Sequence, residues 1–349
     1  MQNDRRTFLK NVGGVTAAVV AGSALTRETT GEVQSPDSGA SLRQGAALQR
    51  PPGRVQIGLF LAGEKGEKGF AGWLSSVEGG SAEAEVVTEK LGPDNIARKH
   101  IAGVKYEDIT INCGTGMSKA FYEWIKASFD GKPSRRDGAI VAADFNNAIV
   151  DTLTFQQALI SEIAFPALDA SSKEAAKMTV KLAPEMARFD LGDGTKVDLP
   201  PIPQGKRWLT SNFKVGIDGL DDATTRISKV DAIVIKQSVA DDPATGAQLP
   251  GPLDVPDLAI TFPEADAAGF LKWHEEILAT NNADSPDAAE KAGWIKYYPP
   301  NFSDPFFTLS FSNLGLSKVT PPASASGDNL RHLKAGLYSE TIKFEYKAT

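Results

Sequence analysis

Asp108-Ile109-Thr110-Ile111, followed by Phe121-Tyr122-Glu123-Trp124, returns 149 residues later as Asp257-Leu258-Ala259-Ile260 and Phe270-Leu271-Lys272-Trp273. One such match can arise by chance. Two at a shared offset mark an internal repeat, and the repeat governs how the rest of the chain is read. The order continues. Gly138-Ala139-Ile140 is answered by Gly293-Trp294-Ile295, Leu153-Thr154-Phe155 by Leu309-Ser310-Phe311, Leu159-Ile160-Ser161 by Gly315-Leu316-Ser317, and Pro166 by Pro322. The offset drifts from 149 to 156, as loop insertions produce.

Each copy opens with period-two alternation: Val55, Ile57 and Leu59 in the first, Phe213, Val215 and Ile217 in the second. That period gives a strand with one buried face. Further strands are expected at Ala84–Thr88 and Ile227–Ile235, then at the segments ending in Ile111 and Ile260. One helix follows in each copy. In the first, Thr115 is the expected cap, and Met117, Phe121, Trp124 and Ile125 form an apolar stripe. In the second, Thr261-Phe262-Pro263-Glu264 reads as a capping box with Pro in the first turn, and Phe270, Trp273 and Ile277 form the stripe. Three or four strands close each copy, the last around Met178–Leu182 and Thr341–Tyr346. The expected fold is mainly β, a barrel or sandwich with one helix per repeat, in two tandem repeats. The expected division is a signal peptide over 1–26, a flexible linker over 27–53, repeat one over 54–186, a Gly/Pro-rich linker over 187–208 and repeat two over 209–349.

The N-terminus reads as an address. Arg5-Arg6, one variable residue, then Phe8-Leu9-Lys10 resemble a twin-arginine export signal, with Asp4 where Ser or Thr is usual. An uncharged stretch from Val12 to Leu25 suits the apolar region of a signal peptide and is short for a membrane span. The twin-arginine route carries proteins that fold before crossing, so the translocase is an expected partner, with the periplasm or exterior as destination. Cytoplasm or virion is the alternative if the signal is not used.

The remaining chemistry is sparse. The 349 residues carry 41% hydrophobic and 23% charged side chains with a net charge of −7, a balance that speaks against general nucleic-acid binding. Cys113 is the only cysteine, which excludes an intrachain disulfide. His100, His274 and His332 lack metal-ligand spacing. Gly63-Glu64-Lys65-Gly66-Glu67-Lys68-Gly69 is glycine-rich but lacks the Gly-Lys-Ser/Thr of a phosphate loop and reads as a charged hairpin. Asp190, Asp193, Asp198, Asp221-Asp222 and Asp241-Asp242 do not follow the calcium-loop pattern. Phe121, Trp124, Phe270 and Trp273 read as core. Arg135-Arg136 suits a lumen, a neighbouring subunit or a solvated hairpin. No catalytic residue, cofactor or metal is expected.

With those residues in place, the first repeat resembles the tail-tube proteins of contractile phages and related injection systems. The resemblance covers about residues 54–186. It rests on Gly69-Phe70-Ala71-Gly72-Trp73-Leu74-Ser75-Ser76-Val77-Glu78-Gly79, then Glu83-Ala84-Glu85-Val86-Val87, and Arg98-Lys99-His100 ahead of Tyr106-Glu107-Asp108-Ile109-Thr110-Ile111. Gly114, Trp124, Arg135-Arg136-Asp137-Gly138-Ala139-Ile140, Pro166, Asp169-Ala170 and Val180–Glu185 complete it. The second repeat keeps the outline, including Phe213-Lys214-Val215-Gly216-Ile217-Asp218-Gly219, with Glu290-Lys291 in place of the arginine pair. The resemblance implies subunits packed edge to edge into six-membered rings that stack into a tube. A fused pair then implies a three-chain ring, with other tail or injection-system components as further partners. The competing reading is a twin-arginine-exported binding module or enzyme with a tail-tube-like fold, or a secreted surface-binding β-domain.

Overall fold

The computed structural model describes residues 55–63, 69–90, 97–202, 208–242, 248–280, 289–321 and 330–347. The first half runs β1 (Gln56–Leu61), β2 (Phe70–Gly79), β3 (Ala82–Lys90), β4 (Ala97–Tyr106), β5 (Ile109–Cys113), α1 (Lys119–Phe129), β6 (Arg136–Ala143), β7 (Ile149–Phe165), β8 (Leu168–Asp169), β9 (Met178–Ala183) and β10 (Met186–Leu191). The second runs β11 (Phe213–Ile217), α2 (Asp221–Thr224), β12 (Lys229–Val230), β13 (Ile233–Asp241), β14 (Gln248–Asp254) and β15 (Leu258–Pro263). A 3₁₀ turn (Glu264–Asp266), α3 (Ala267–Thr280), β16 (Lys291–Tyr297), β17 (Phe307–Thr320) and β18 (His332–Tyr346) complete it.

The architecture is mainly β with barrel-like sheets. In the first half β7, β6, β1, β2, β5 and β9 pair in turn, and β9 pairs back to β7, closing a barrel. In the second, β11, β16, β17, β18, β15, β12 and β8 form an open seven-stranded sheet.

Several ladders of the two sheets correspond, although the β1–β2 ladder has no counterpart between β11 and β12. Leu61 lies opposite Gly138 and Gly138 opposite Phe155; in the second half Ile217 lies opposite Gly293 and Gly293 opposite Phe311. Ile109 lies opposite Leu182, and Leu258 opposite Leu337. The β7–β9 ladder is interrupted between Ile160 and Glu162, and the β17–β18 ladder between Leu316 and Lys318. Gln157 and Asn313 both take positive φ, 50° and 53°, at the bend of these long strands. Bulges fix register, because a one-residue slip would turn every apolar side chain outward.

Both central tryptophans are held alike. Trp124 Nε1 donates to Ser134 O at 2.7 Å and Trp273 Nε1 to Ala289 O at 2.8 Å, so each helix is tied to the strand that follows it. The helix starts differ from expectation. Ser118 caps α1, its side chain accepting from Phe121 N at 3.3 Å, while the Thr115 carbonyl accepts from Tyr122 Oη at 2.8 Å. Thr261 stays in β15, and Pro263 precedes the 3₁₀ turn without a side-chain cap. The expected capping box therefore does not form, because the strand ladder to β18 holds Thr261 and Pro263.

Two other expectations are corrected. Ile227–Ile235 is not one strand; β12 and β13 part at Asp231-Ala232 and join different sheets. Nor is 187–208 wholly a linker. Met186–Leu191 pairs with β7 as Thr341–Tyr346 pairs with β17, so β9 and β10 together correspond to the single strand β18. Pro184, between β9 and β10, has no N–H to continue a ladder. Further along, Leu199 packs beside Phe60 and Val141, and residues 203–207 lie outside the described residues.

The main core spans both halves. Phe165 lies at its centre, with ring centroids 5.6 Å from Tyr297, 6.5 Å from Phe307 and 6.0 Å from Phe344. Phe165→Ala removes a fully buried ring from a site built by both halves and is expected to cost about 3–5 kcal/mol. Denaturant unfolding checks this, and the loss is expected as one transition and not two.

Candidate assembly surface

Aromatic residues of α1, β7, β16, β17 and β18 meet at a seam shared by the two halves. Tyr122 meets Tyr346 at 5.1 Å and Phe129 stacks on Phe344 at 5.5 Å, laying the last strand of the second half against the first helix. Beside this, the β13–β14 hairpin leaves its own half. Ile233, Val234, Ile235 and Lys236 pair with Phe165, Ala164, Ile163 and Glu162 on the edge of β7. The period-two positions Ile233 and Ile235 are buried, and Leu253 of β14 packs on the core behind them. Edge addition of this kind satisfies backbone donors that would otherwise remain open.

A polar clasp holds the hairpin tip. Arg135 hydrogen-bonds the carbonyl of Gln248 and pairs with Glu185 at 3.4 Å. The Gln248 N–H donates to Glu185 Oε1 at 3.2 Å, and its side-chain amide donates to the Pro184 carbonyl at 3.3 Å. The exchange is mutual, because β8 of the first half pairs with β12 of the second. There Lys229 bonds Asp169 at 2.8 Å and, with Ser171, holds that carboxyl down to about 2.

The counterpart surfaces have no such cover among the described residues. The β3–β4 hairpin forms a separate two-stranded sheet. Ala82, Ala84, Val86, Ile101 and Val104 share one face and are exposed, while Glu83, Glu85 and Lys105 share the other. Phe189 and Leu191 stand out from β10, and Leu271 and Leu278 from α3. Exposed apolar groups gathered on defined edges mark contact surfaces.

The residues singled out in the sequence fall as follows. Arg5, Arg6, Phe8, Leu9 and Lys10, with the segments 1–26 and 27–53, lie outside the described residues, as do residues 64–68 of the glycine-rich stretch and Pro322. Phe121, Trp124, Phe270 and Trp273 are core. Cys113 is fully buried, and burial pushes its thiol up to about 12, so it is not a thiolate near neutrality. His100 sits on the free hairpin, 4.0 Å from Glu89. Arg135 has a definite task in the clasp. The travel of β13–β14 onto β7 was missed by sequence reasoning; the Ile233-Val234-Ile235 run and the Arg135-Arg136 pair were its only signals. No helix of the described residues is long and apolar enough to cross a membrane.

Residues 61–188, in the first half, match the family model of the T4-like virus tail tube protein gp19. No curated protein matches the chain. Among solved structures, the anti-feeding prophage tube-terminating cap is 19% identical, with 44% of this chain and 99% of that one covered and a TM-score of 0.37. A chain of the PVC extracellular contractile injection system's extended sheath–tube complex is 15% identical, covering 41% and 94%, at 0.35. Hcp1 from Flavobacterium johnsoniae is 12% identical, covering 39% and 97%, at 0.24.

Two outcomes follow from the seam. Arg135→Ala is expected to loosen the hairpin tip, raising amide exchange over Gln248–Asp254 while α1 remains protected; hydrogen-exchange mass spectrometry reads this. Burial raises the Cys113 thiol from 9.0 to about 12 and raises the Tyr122 and Tyr297 hydroxyls as well. These groups fold protonated, and the unfolded chain releases their protons more readily. Their contribution is therefore intact at neutral pH and falls as pH rises from 9 towards 12. Denaturation midpoints across that range, compared with Cys113→Ala, check the sign.

Proposed function

We propose that this chain is a structural, non-enzymatic subunit made of two tail-tube units in tandem, exported by the twin-arginine route and assembling with its own copies into rings or tubes. The observation that carries the reading is the tail-tube match over 61–188, supported by a second sheet that shares several ladders and the long-strand bulge with the first. The seam inside the chain supports it: one unit already seats on the edge of the other through strand addition and a buried aromatic layer. Such a contact joins unlike surfaces, so it repeats from copy to copy and closes into a ring if the rotation allows. Two units per chain make the expected ring a trimer of chains with six units. The Arg5-Arg6 signal supports export of a chain folded before translocation.

Negative-stain microscopy of the purified chain tests assembly: rings of six lobes, single or stacked, are expected, and a persistent monomer at micromolar concentration would contradict the reading. Replacing Arg5 and Arg6 by lysines is expected to leave the protein in the cytoplasmic fraction; unchanged export would remove the twin-arginine route.

A further inference from the structure

Matching ladders allow each contact of the internal seam to be projected onto its counterpart. Glu83 lies opposite Lys105 where Lys236 lies opposite Asp254, so β3–β4 corresponds residue by residue to β13–β14. The shared bulge equates Glu162 on the edge of β7 with Lys318 on β17. In the internal seam Ile235 sits opposite Ile163, and Lys236 opposite Glu162. The projected seam puts Ala82 opposite Val319, and Glu83 opposite Lys318. Opposite charges in register are kept with their signs exchanged, although in the internal seam Glu162 forms its ion pair with Lys181 at 3.1 Å.

The clasp projects in the same way. Asp241 lies opposite Gln248 as Thr88 lies opposite Lys99, which makes Lys99 the counterpart of Gln248. Arg135 and Glu185 become Glu290 and Glu340. A basic hairpin end, Arg98-Lys99-His100, thus faces an acidic receiver. Glu290 accepts from Tyr338 Oη at 2.8 Å through Oε1, while its Oε2 is buried with no hydrogen-bond partner among the described residues.

The aromatic layer projects onto exposed apolar groups. Phe129 on Phe344 becomes Leu278 on Phe189, each 59% exposed, and Tyr122 on Tyr346 becomes Leu271 (44%) on Leu191 (83%). Leu253, packed on the core, becomes Val104, 55% exposed. Leu278, Phe189, Leu271, Leu191 and Val104 are among the exposed apolar groups, and a second seam would cover them.

From this we infer that the partner of the β3–β4 hairpin is the second half of another copy of this chain. The hairpin adds to the β17 edge through the Glu83–Lys318 pair and places Lys99 by Glu290 and Glu340, while β10 of the first copy packs on α3 of the second. The charges also set the order. A first-half hairpin on a first-half edge would put Glu83 against Glu162 and Lys99 against Arg135. A second-half hairpin on a second-half edge would put Lys236 against Lys318. Like charges in register oppose both, so halves alternate around the assembly.

This inference rests on the self-assembly reading, and the test separates the two. The full-length chain and its variants are compared by mass photometry over a concentration series. E83K and K318E, both at exposed positions, are each expected to weaken assembly about tenfold or more, and E83K/K318E to restore most of the loss. An equal mixture of A82C and V319C is expected to give disulfide-linked dimers on mild oxidation, since Cys113 is buried and unreactive. Assembly by the unmodified chain that ignores both charge reversals and gives no A82C–V319C link would overturn this interface and leave the ring reading standing. A chain that never assembles would overturn both.

Discussion

The strand edge of β7 from Glu162 to Phe165 is the constraint on which the rest depends. β7 runs for seventeen residues, and both halves contribute to covering its edges. Its first part pairs with β6 and β10 and Leu159–Ala164 pair with β9, and the other edge of Glu162–Phe165 would stay open were it not for β13. Open backbone groups beside a buried ring such as Phe165 are costly, so the second half is drawn across. The aromatic layer around Phe165 then follows, because the hairpin that satisfies the edge brings Tyr297, Phe307 and Phe344 against it.

The second half carries an edge like that of β7. β17 has the same bend and the same bulge as β7, and its end, Lys318–Thr320, pairs only with β18 among the described residues. One chain holds two edges of this kind and two hairpins, but internal geometry joins just one hairpin to one edge. What remains is one hairpin and one strand edge of complementary charge, the kind of unlike surfaces from which heterologous assemblies grow. In the proposed assembly, likeness of fold would make the seams alike, and exchange of charge between them would make their partners distinct.

The mainly β fold with a packed helix in each half was legible in the sequence because residues fixed by local packing occur in both halves. Phe121 and Trp124 recur as Phe270 and Trp273 since each helix must bury a stripe, and Gly138 recurs as Gly293 because a Cβ at either would strike a neighbouring carbonyl, that of Phe60 or of Gly216. Helix starts were less legible. Thr115 and Thr261 have cap chemistry, but strand ladders and the chain path set where the helices begin. The crossing of β13–β14 was not legible at all, since the period-two pattern of Ile233 and Ile235 says which face is buried and not which sheet buries it. Residues 187–191 looked like linker because Pro184, Gly192 and Gly194 surround them, although they complete the barrel edge.

The central claim is that one seam, seen inside the chain, is repeated between chains. Cryo-electron microscopy of the assembled protein, reconstructed without imposed symmetry, tests it most directly. The account predicts alternating halves with internal and intermolecular seams that superpose, hairpin on edge in both. A two-fold dimer joined through like surfaces, or a ring whose chains meet away from β3–β4 and β17, would contradict it.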